Sequence, residues 1–209
     1  MSSAAAQLQR RVHSFWFRGY TKGTRIELSL IKLWFNVNEA FDNECRSSFG
    51  QDLEDIIKNG SHIEELKKTP EGTLSLTILL DQLPRNIYRG TARPFLEFDP
   101  LALDTCKYAL GLKWDEMLDP VERAFMYLPL EHSENMQNQI LCVERMKWNR
   151  DNSPPIYAEY CKGALQASEE HKAIIERFGR YPHRNKCLGR ENTKEELDYL
   201  TNGAQNYGQ

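Results

Sequence analysis

The chain has 209 residues, with 27 lysines and arginines against 30 aspartates and glutamates, and a formal charge of −3 at pH 7. With 40% hydrophobic and 11% aromatic residues it can bury a core, which excludes wholesale disorder. A net-acidic chain also lacks the electrostatic footprint of a sequence-independent nucleic-acid binder.

Apolar runs such as Ile78-Leu79-Leu80, cut off by Asp81, fall far short of the roughly 20 residues a membrane-spanning helix needs. The N-terminal Met-Ser-Ser-Ala-Ala-Ala lacks the basic-then-apolar profile of a secretion signal. Cys45, Cys106, Cys142, Cys161 and Cys187 are odd in number, widely spaced and without a CxxC pair. That pattern predicts free, reduced thiols in a cytosolic protein, not a disulfide scaffold or a zinc knuckle.

Helical periodicity runs through almost the whole sequence. Leu8, Val12 and Phe15 form a short stripe before the breaker-rich stretch Gly19 to Gly23. Ile26, Leu30, Leu33, Val37, Phe41 and Cys45 recur at three- and four-residue steps, which predicts one helix ending near Gly50. Leu53, Ile56 and Ile57 predict another, stopped by Asn59-Gly60. Thr73 to Leu80 is the one stretch ambiguous between strand and helix, and Leu74, Ile78 and Leu79 suit a helix.

Asp99-Pro100 and Asp119-Pro120 each place an N-cap acceptor before proline at the first helical position. They predict helices ending at Gly111 and running through Leu128. Met136, Ile140 and Val143 continue after Pro129, and Asn149 to Pro155 reads as a linker. Tyr157 to Phe178 forms a long helix stopped at Gly179, Thr193-x-x-Glu196 is a capping box, and Gly203 to Gln209 reads as a frayed tail. The expectation is an all-α, antiparallel stack of about eight to ten helices in one domain over 1–209. Trp16-Phe17 and Trp34-Phe35 are assigned to its core.

Three polar segments fit a plain bundle poorly. Asp81, Gln82, Arg85 and Asn86, with Arg89 and Arg93 beyond, lie among Pro84, Gly90 and Pro94, which predicts a helix stop and forked donors at a layer's mouth. Tyr127 to Glu134 contains Pro129 and then Glu131-His132-Ser133-Glu134. Either glutamate can orient His132 for acid–base work, while the structural reading makes Ser133 the cap of the next helix. Arg177 to Arg190 carries five basic residues and His183 with no acid, in irregular backbone able to meet an anion. Its arginines can equally pair with carboxylates to pin the last helix.

These blocks also carry a resemblance. Phe15-Trp16-Phe17, Leu80 to Gly90, Phe125 to Glu134, and Arg177 to Asn185 with Leu188-Gly189-Arg190 closely resemble the bacterial and fungal family known as domain of unknown function 924. The match runs in order from about Val12 to Leu200. Leu83 and Tyr181 stand where phenylalanine is expected, and Arg18 where glycine often follows. The resemblance implies a helical fold similar to tetratricopeptide-like superhelices, and no reaction, cofactor or partner.

The functional expectation is a pocket for a small molecule bearing a carboxylate or phosphate. Arg85, Arg180 and Arg184 hold the anion, with Asp81, Gln82, Arg89, Arg177 and His183 beside them and Asn86 and Asn185 orienting it. His132 or His171 moves a proton with Glu131 or Glu134 steering it, in a hydrolysis or other proton transfer. His132, His171 and His183 lack HxH or HxxxH spacing, so no metal is assigned, and the cofactor is left open. The alternative is a tetratricopeptide-like interaction module clamping an acidic or C-terminal peptide. A membrane partner is not expected, and nucleic acid ranks third.

Overall fold

The computed structural model describes residues 3–202, so the expected tail at 203–209 lies outside the described residues. Eleven α-helical segments follow one another without a strand among those residues. They are α1 (Ala4–Trp16), α2 (Leu28–Phe35), α3 (Glu39–Asn59), α4 (Ile63–Leu66), α5 (Pro70–Thr77), α6 (Leu83–Ile87), α7 (Asp99–Gly111), α8 (Pro120–Glu131), α9 (Met136–Asp151), α10 (Ala158–Phe178) and α11 (Lys194–Thr201). Two of them, α4 and α6, are single turns, which leaves nine longer helices, within the expected range. The fold is all-α.

Caps decide where most helices begin and end. Asp119 starts α8 with a full capping box, its carboxylate accepting from the Val121 N–H while Glu122 reaches back to the Asp119 N–H. Thr193 and Glu196 do the same for α11. Gly60 and Gly179 close α3 and α10 at φ +70° and +69°, a left-handed conformation that costs any other residue strain.

Four boundaries differ from the periodicity. The predicted helix from Ile26 to Gly50 breaks at 36–38, where Asn38 accepts from the Phe41 N–H and starts α3. A side-chain acceptor at a local break outweighs an apolar stripe that Val37, 62% exposed, does not complete. Gly50 then passes unnoticed inside α3, because its φ is ordinary. Asp99 does not cap α7, since its carboxylate is committed to Arg85. Ser133 does not cap α9; Asn135 does, accepting from Gln137 and Asn138.

The core runs through α1, α3, α5, α7 and α8. Trp16, Phe17 and Trp34 are buried around Phe125, with the Trp34 and Phe125 ring centroids 4.8 Å apart, edge to face. Trp34 also donates its indole N–H to the Trp16 carbonyl at 2.8 Å. Phe35, assigned to the core from its position, stacks on Phe125 but stays 46% exposed. The linker expected at 149–155 is shorter, because α9 continues to Asp151; the turn beyond it is tight, with Asn149 holding the Pro120 carbonyl and Ser153 bonded back to Asn149. It folds α10 back along α9, and both pack with α8. No described helix is long and apolar enough to cross a membrane.

Candidate functional site

Pro84 has no N–H to give the turn before it. The chain does not stop there, as the sequence suggests; it widens. Ile78–Gln82 is a π-helical turn in which the Leu83 N–H reaches the Ile78 carbonyl, five residues back, and α6 continues from it. Such single widened turns recur at functional sites because they re-aim side chains. This one buries Asp81, Gln82, Arg85 and Asn86 together. A second widened turn, Pro94–Phe98, delivers Asp99 to the same place.

The end of α8 supplies Glu131 and His132, the middle of α10 supplies His171, and a 3₁₀ turn at Pro182–Arg184 supplies His183 and Arg184. Gln139 of α9 ties these ends together. Its side-chain amide donates to the Glu131 and Ser133 carbonyls and to the Tyr181 hydroxyl, and that hydroxyl donates to the Glu131 carbonyl.

The result is a cavity of about 110 Å³ between the three polar segments. Gln82, Arg85, Asn86 and Arg89 form one wall; Glu131, His132 and His171 a second; His183 and Arg184 a third. Trp34, Phe35, Asn36 and Leu128 complete the lining.

At its floor, Asp81 Oδ1 lies 2.8 Å from His132 Nδ1. Burial opposes ionisation of Asp81, but His132, Arg85 at 3.7 Å and the Gln82 amide outweigh it and hold the carboxyl below the usual carboxylate range. An ionised carboxylate only accepts, so Nδ1 carries the proton and Nε2 keeps its lone pair. Burial and the Arg85 charge together favour the neutral ring over the pull of Asp81.

The arginines differ in how they are paired. Arg85 is clamped by both oxygens of Asp99 at 2.7 and 3.0 Å and also donates to the Asp81 carbonyl. Arg89 is clamped by Asp42 at 2.7 and 2.8 Å. Arg184 has no such clamp. It donates to the His132 carbonyl at 2.9 Å, its nearest carboxylate, Asp99, is 3.8 Å away, and its Nε is buried without a partner. The rings of Tyr181 and Phe95 hold its guanidinium between them at 4.4 and 4.6 Å. Burial, helped by the charge of Arg85, disfavours its charged form.

Glu131 is 4% exposed and its Oε2 is buried without a partner. Burial, followed by the charge of Asp81, pushes its carboxyl up to about 8, so it keeps its proton at neutral pH. His171 donates Nδ1–H to the Ala167 carbonyl at 2.8 Å, and this nitrogen lies 3.6 Å from Glu131 Oε1. Burial pushes both His171 and His183 down to about 3, with the nearby arginines adding to it.

The structure thus brings Gln82, Arg85, Asn86, Arg89, Glu131, His132, His171, His183 and Arg184 to one cavity, with Asp81 directly behind. It places four others elsewhere. Arg177 pairs with Glu195 on the surface, and Arg180 binds both oxygens of Glu196. Asn185 is buried against Asn192 and Glu196, and Glu134 holds Arg190 and the Tyr181 N–H. These four fasten the 181–196 segment to its neighbours. Among the described residues no group of three His, Cys, Asp or Glu is arranged to hold a metal ion.

The sequence reading missed Asp42 and Asp99, the anchors of two arginines, and the wall of Trp34, Phe35, Asn36 and Leu128. Asp99 carried a signal of the wrong kind, its helix-capping position before proline. Asp42 carried none.

The fold has a counterpart of known structure. A solved protein of unknown function from Agrobacterium tumefaciens shares the fold with a TM-score of 0.78 and 32% sequence identity, over 95% of this chain and 99% of that one. No curated protein matches the chain. The family model described as bacterial protein of unknown function (DUF924) matches residues 12–204, and the chain belongs to that family.

Proposed function

We propose that the cavity binds a small anion, a carboxylate or a phosphate, and that His132 and Glu131 transfer protons on it. The observation that carries this reading is the Asp81–His132 pair sharing a small cavity with Arg184, a buried cation lacking a carboxylate clamp. A buried arginine with an unpartnered Nε is costly, and an anion in the cavity offsets that cost with charge-assisted hydrogen bonds.

Asp81 fixes the imidazole tautomer so that Nε2 serves as a base. Glu131, protonated at neutral pH, serves as the acid. Among the described residues lining the cavity there is no serine, threonine or cysteine, which favours a water nucleophile over an acylated or phosphorylated hydroxyl or thiol. In a hydrolysis, the water oxygen bonds to the reacting carbonyl or phosphoryl centre while His132 Nε2 takes its proton. The bond to the departing oxygen or nitrogen breaks, and that atom takes the proton of Glu131. Arg184, stacked between Tyr181 and Phe95, steadies the anionic group.

The alternative, a tetratricopeptide-like module clamping an acidic or C-terminal peptide, draws on the same arginines. A volume of about 110 Å³ suits a terminal carboxylate better than an extended chain. Four of the five cysteines are buried free thiols, which supports placing the protein in a reducing compartment, the cytosol.

The test is titration calorimetry with acetate and inorganic phosphate, alongside a turnover screen of carboxylate-bearing esters and amides and of phosphoesters. Arg184→Gln is expected to lose anion binding, and His132→Asn to keep binding while losing turnover. Wild-type protein that takes up neither anion refutes the reading. Should Arg184→Gln fail to fold, anion-dependent shifts of the His132 ring resonances in the wild type decide the same point.

A further inference from the structure

The small polar cavity shares a wall with another space. Phe35, Asn36, Leu128, Glu131 and His171 also line a second, larger chamber of about 470 Å³ on the α10 side. Its apolar walls include Ile31, Ala124, Met146, Tyr160, Ala164 and Ala167, with Gly163 among them. An apolar cavity of roughly 150 Å³ already takes up benzene, so this chamber has room for a bicyclic ring system or an aliphatic chain of several carbons.

Charge is distributed unevenly along the two spaces. Arg85, Arg89 and Arg184 line the polar end, whereas the other acids on the chamber are Glu159 and Glu170, both exposed. One ligand lying in both spaces is therefore oriented by electrostatics. Its anionic group belongs at the arginines, and an anionic group at the far end meets two carboxylates. Glu131, with its unpartnered Oε2, stands where the two spaces meet.

We infer that the ligand is an amphipathic anion, its carboxylate or phosphate held at Arg184 and its uncharged apolar tail lying in the chamber between α8, α9 and α10. This deepens the proposed function and rests on it. It also places the junction of head and tail, the ester oxygen of an alkyl phosphate or the first carbons beyond a carboxylate, beside Glu131 and His132.

Gly163 provides a test that leaves the arginines and the histidines untouched. A Cβ at this position meets nothing within 4 Å, and its φ is ordinary. Gly163 is one of the residues lining the chamber, so Gly163→Leu adds an apolar side chain at the chamber's wall while favouring the helix.

The experiment measures affinity for straight-chain carboxylates from acetate to decanoate, with octan-1-ol as the uncharged control and alkyl phosphates as a parallel series. For the wild type, affinity is expected to rise roughly three- to fourfold per added methylene, the factor for burying one CH₂, until the chamber is full. Octanol is expected to bind at least tenfold more weakly than octanoate. Gly163→Leu is expected to bind acetate as the wild type does and to lose the gain from chain length. The series that binds more tightly identifies the head group.

Acetate binding with no dependence on chain length overturns the tail assignment and leaves the anion pocket standing. Octanol binding as tightly as octanoate, or Gly163→Leu retaining the full chain-length gain, also overturns it. If no member of any series binds, the pocket reading itself falls.

Discussion

Glu131 allows a sharp test of the electrostatics at the cavity. Its carboxyl moves from an ordinary 4.5 to about 8 on folding, driven first by burial and then by Asp81. Between those values the native state holds a proton that the unfolded chain has released. Stability therefore falls as pH rises through that window, and the penalty levels off above about 8. At about 1.4 kcal/mol per pH unit, the wild type loses about 4 kcal/mol between pH 5 and pH 9 through this one group.

Glu131→Gln keeps the shape and removes the titration. The gap between variant and wild type should widen by the same amount across that range, a large share of the 5–15 kcal/mol stability of a typical domain. Urea unfolding followed by tryptophan fluorescence at pH 5, 7 and 9 measures it. The constant cost of placing an amide there cancels in the comparison across pH. A gap that does not change with pH refutes the reasoning, because Glu131 would then ionise as an exposed glutamate does and could not serve as the acid.

Arg180→Ala separates the surface arginines from those of the cavity. It deprives the 2% exposed Glu196 of the partner that, through its hydrogen bonds, holds that carboxyl at about 2. Amide exchange in α11 is expected to rise while acetate affinity stays unchanged; a tenfold loss of affinity would place Arg180 in the site after all. A thiol reagent at pH 8 should label Cys187 rapidly and leave Cys45, Cys106, Cys142 and Cys161 protected until unfolding, since only Cys187 is not buried. A second fast-labelling cysteine would contradict the packing of the core.

Local chemistry made much of this molecule legible before any coordinates. Asp119 and Thr193 announce helix starts because their acceptors answer backbone N–H groups two or three residues away. Gly179 announces a stop because only glycine is at ease at its φ. Such devices act within one turn of helix, so neighbours in sequence suffice to read them. The polar segments were visible for the same reason, as clusters of arginine, histidine and glutamate at predicted helix ends.

What no stretch of sequence could decide is which arginine faces the cavity. Arg85, Arg89, Arg180 and Arg184 share one chemistry, and their surroundings differ through partners supplied elsewhere. Asp42 takes Arg89 from 47 residues away, and Asp99 takes Arg85 across a widened turn. Glu196 keeps Arg180 at the surface, and Arg184, stacked between Tyr181 and Phe95, is left without a clamp. The pH behaviour of Glu131 and His171 has the same origin. Burial sets it, and burial is a property of helices α8, α9 and α10 closing over one another, which only the folded chain possesses.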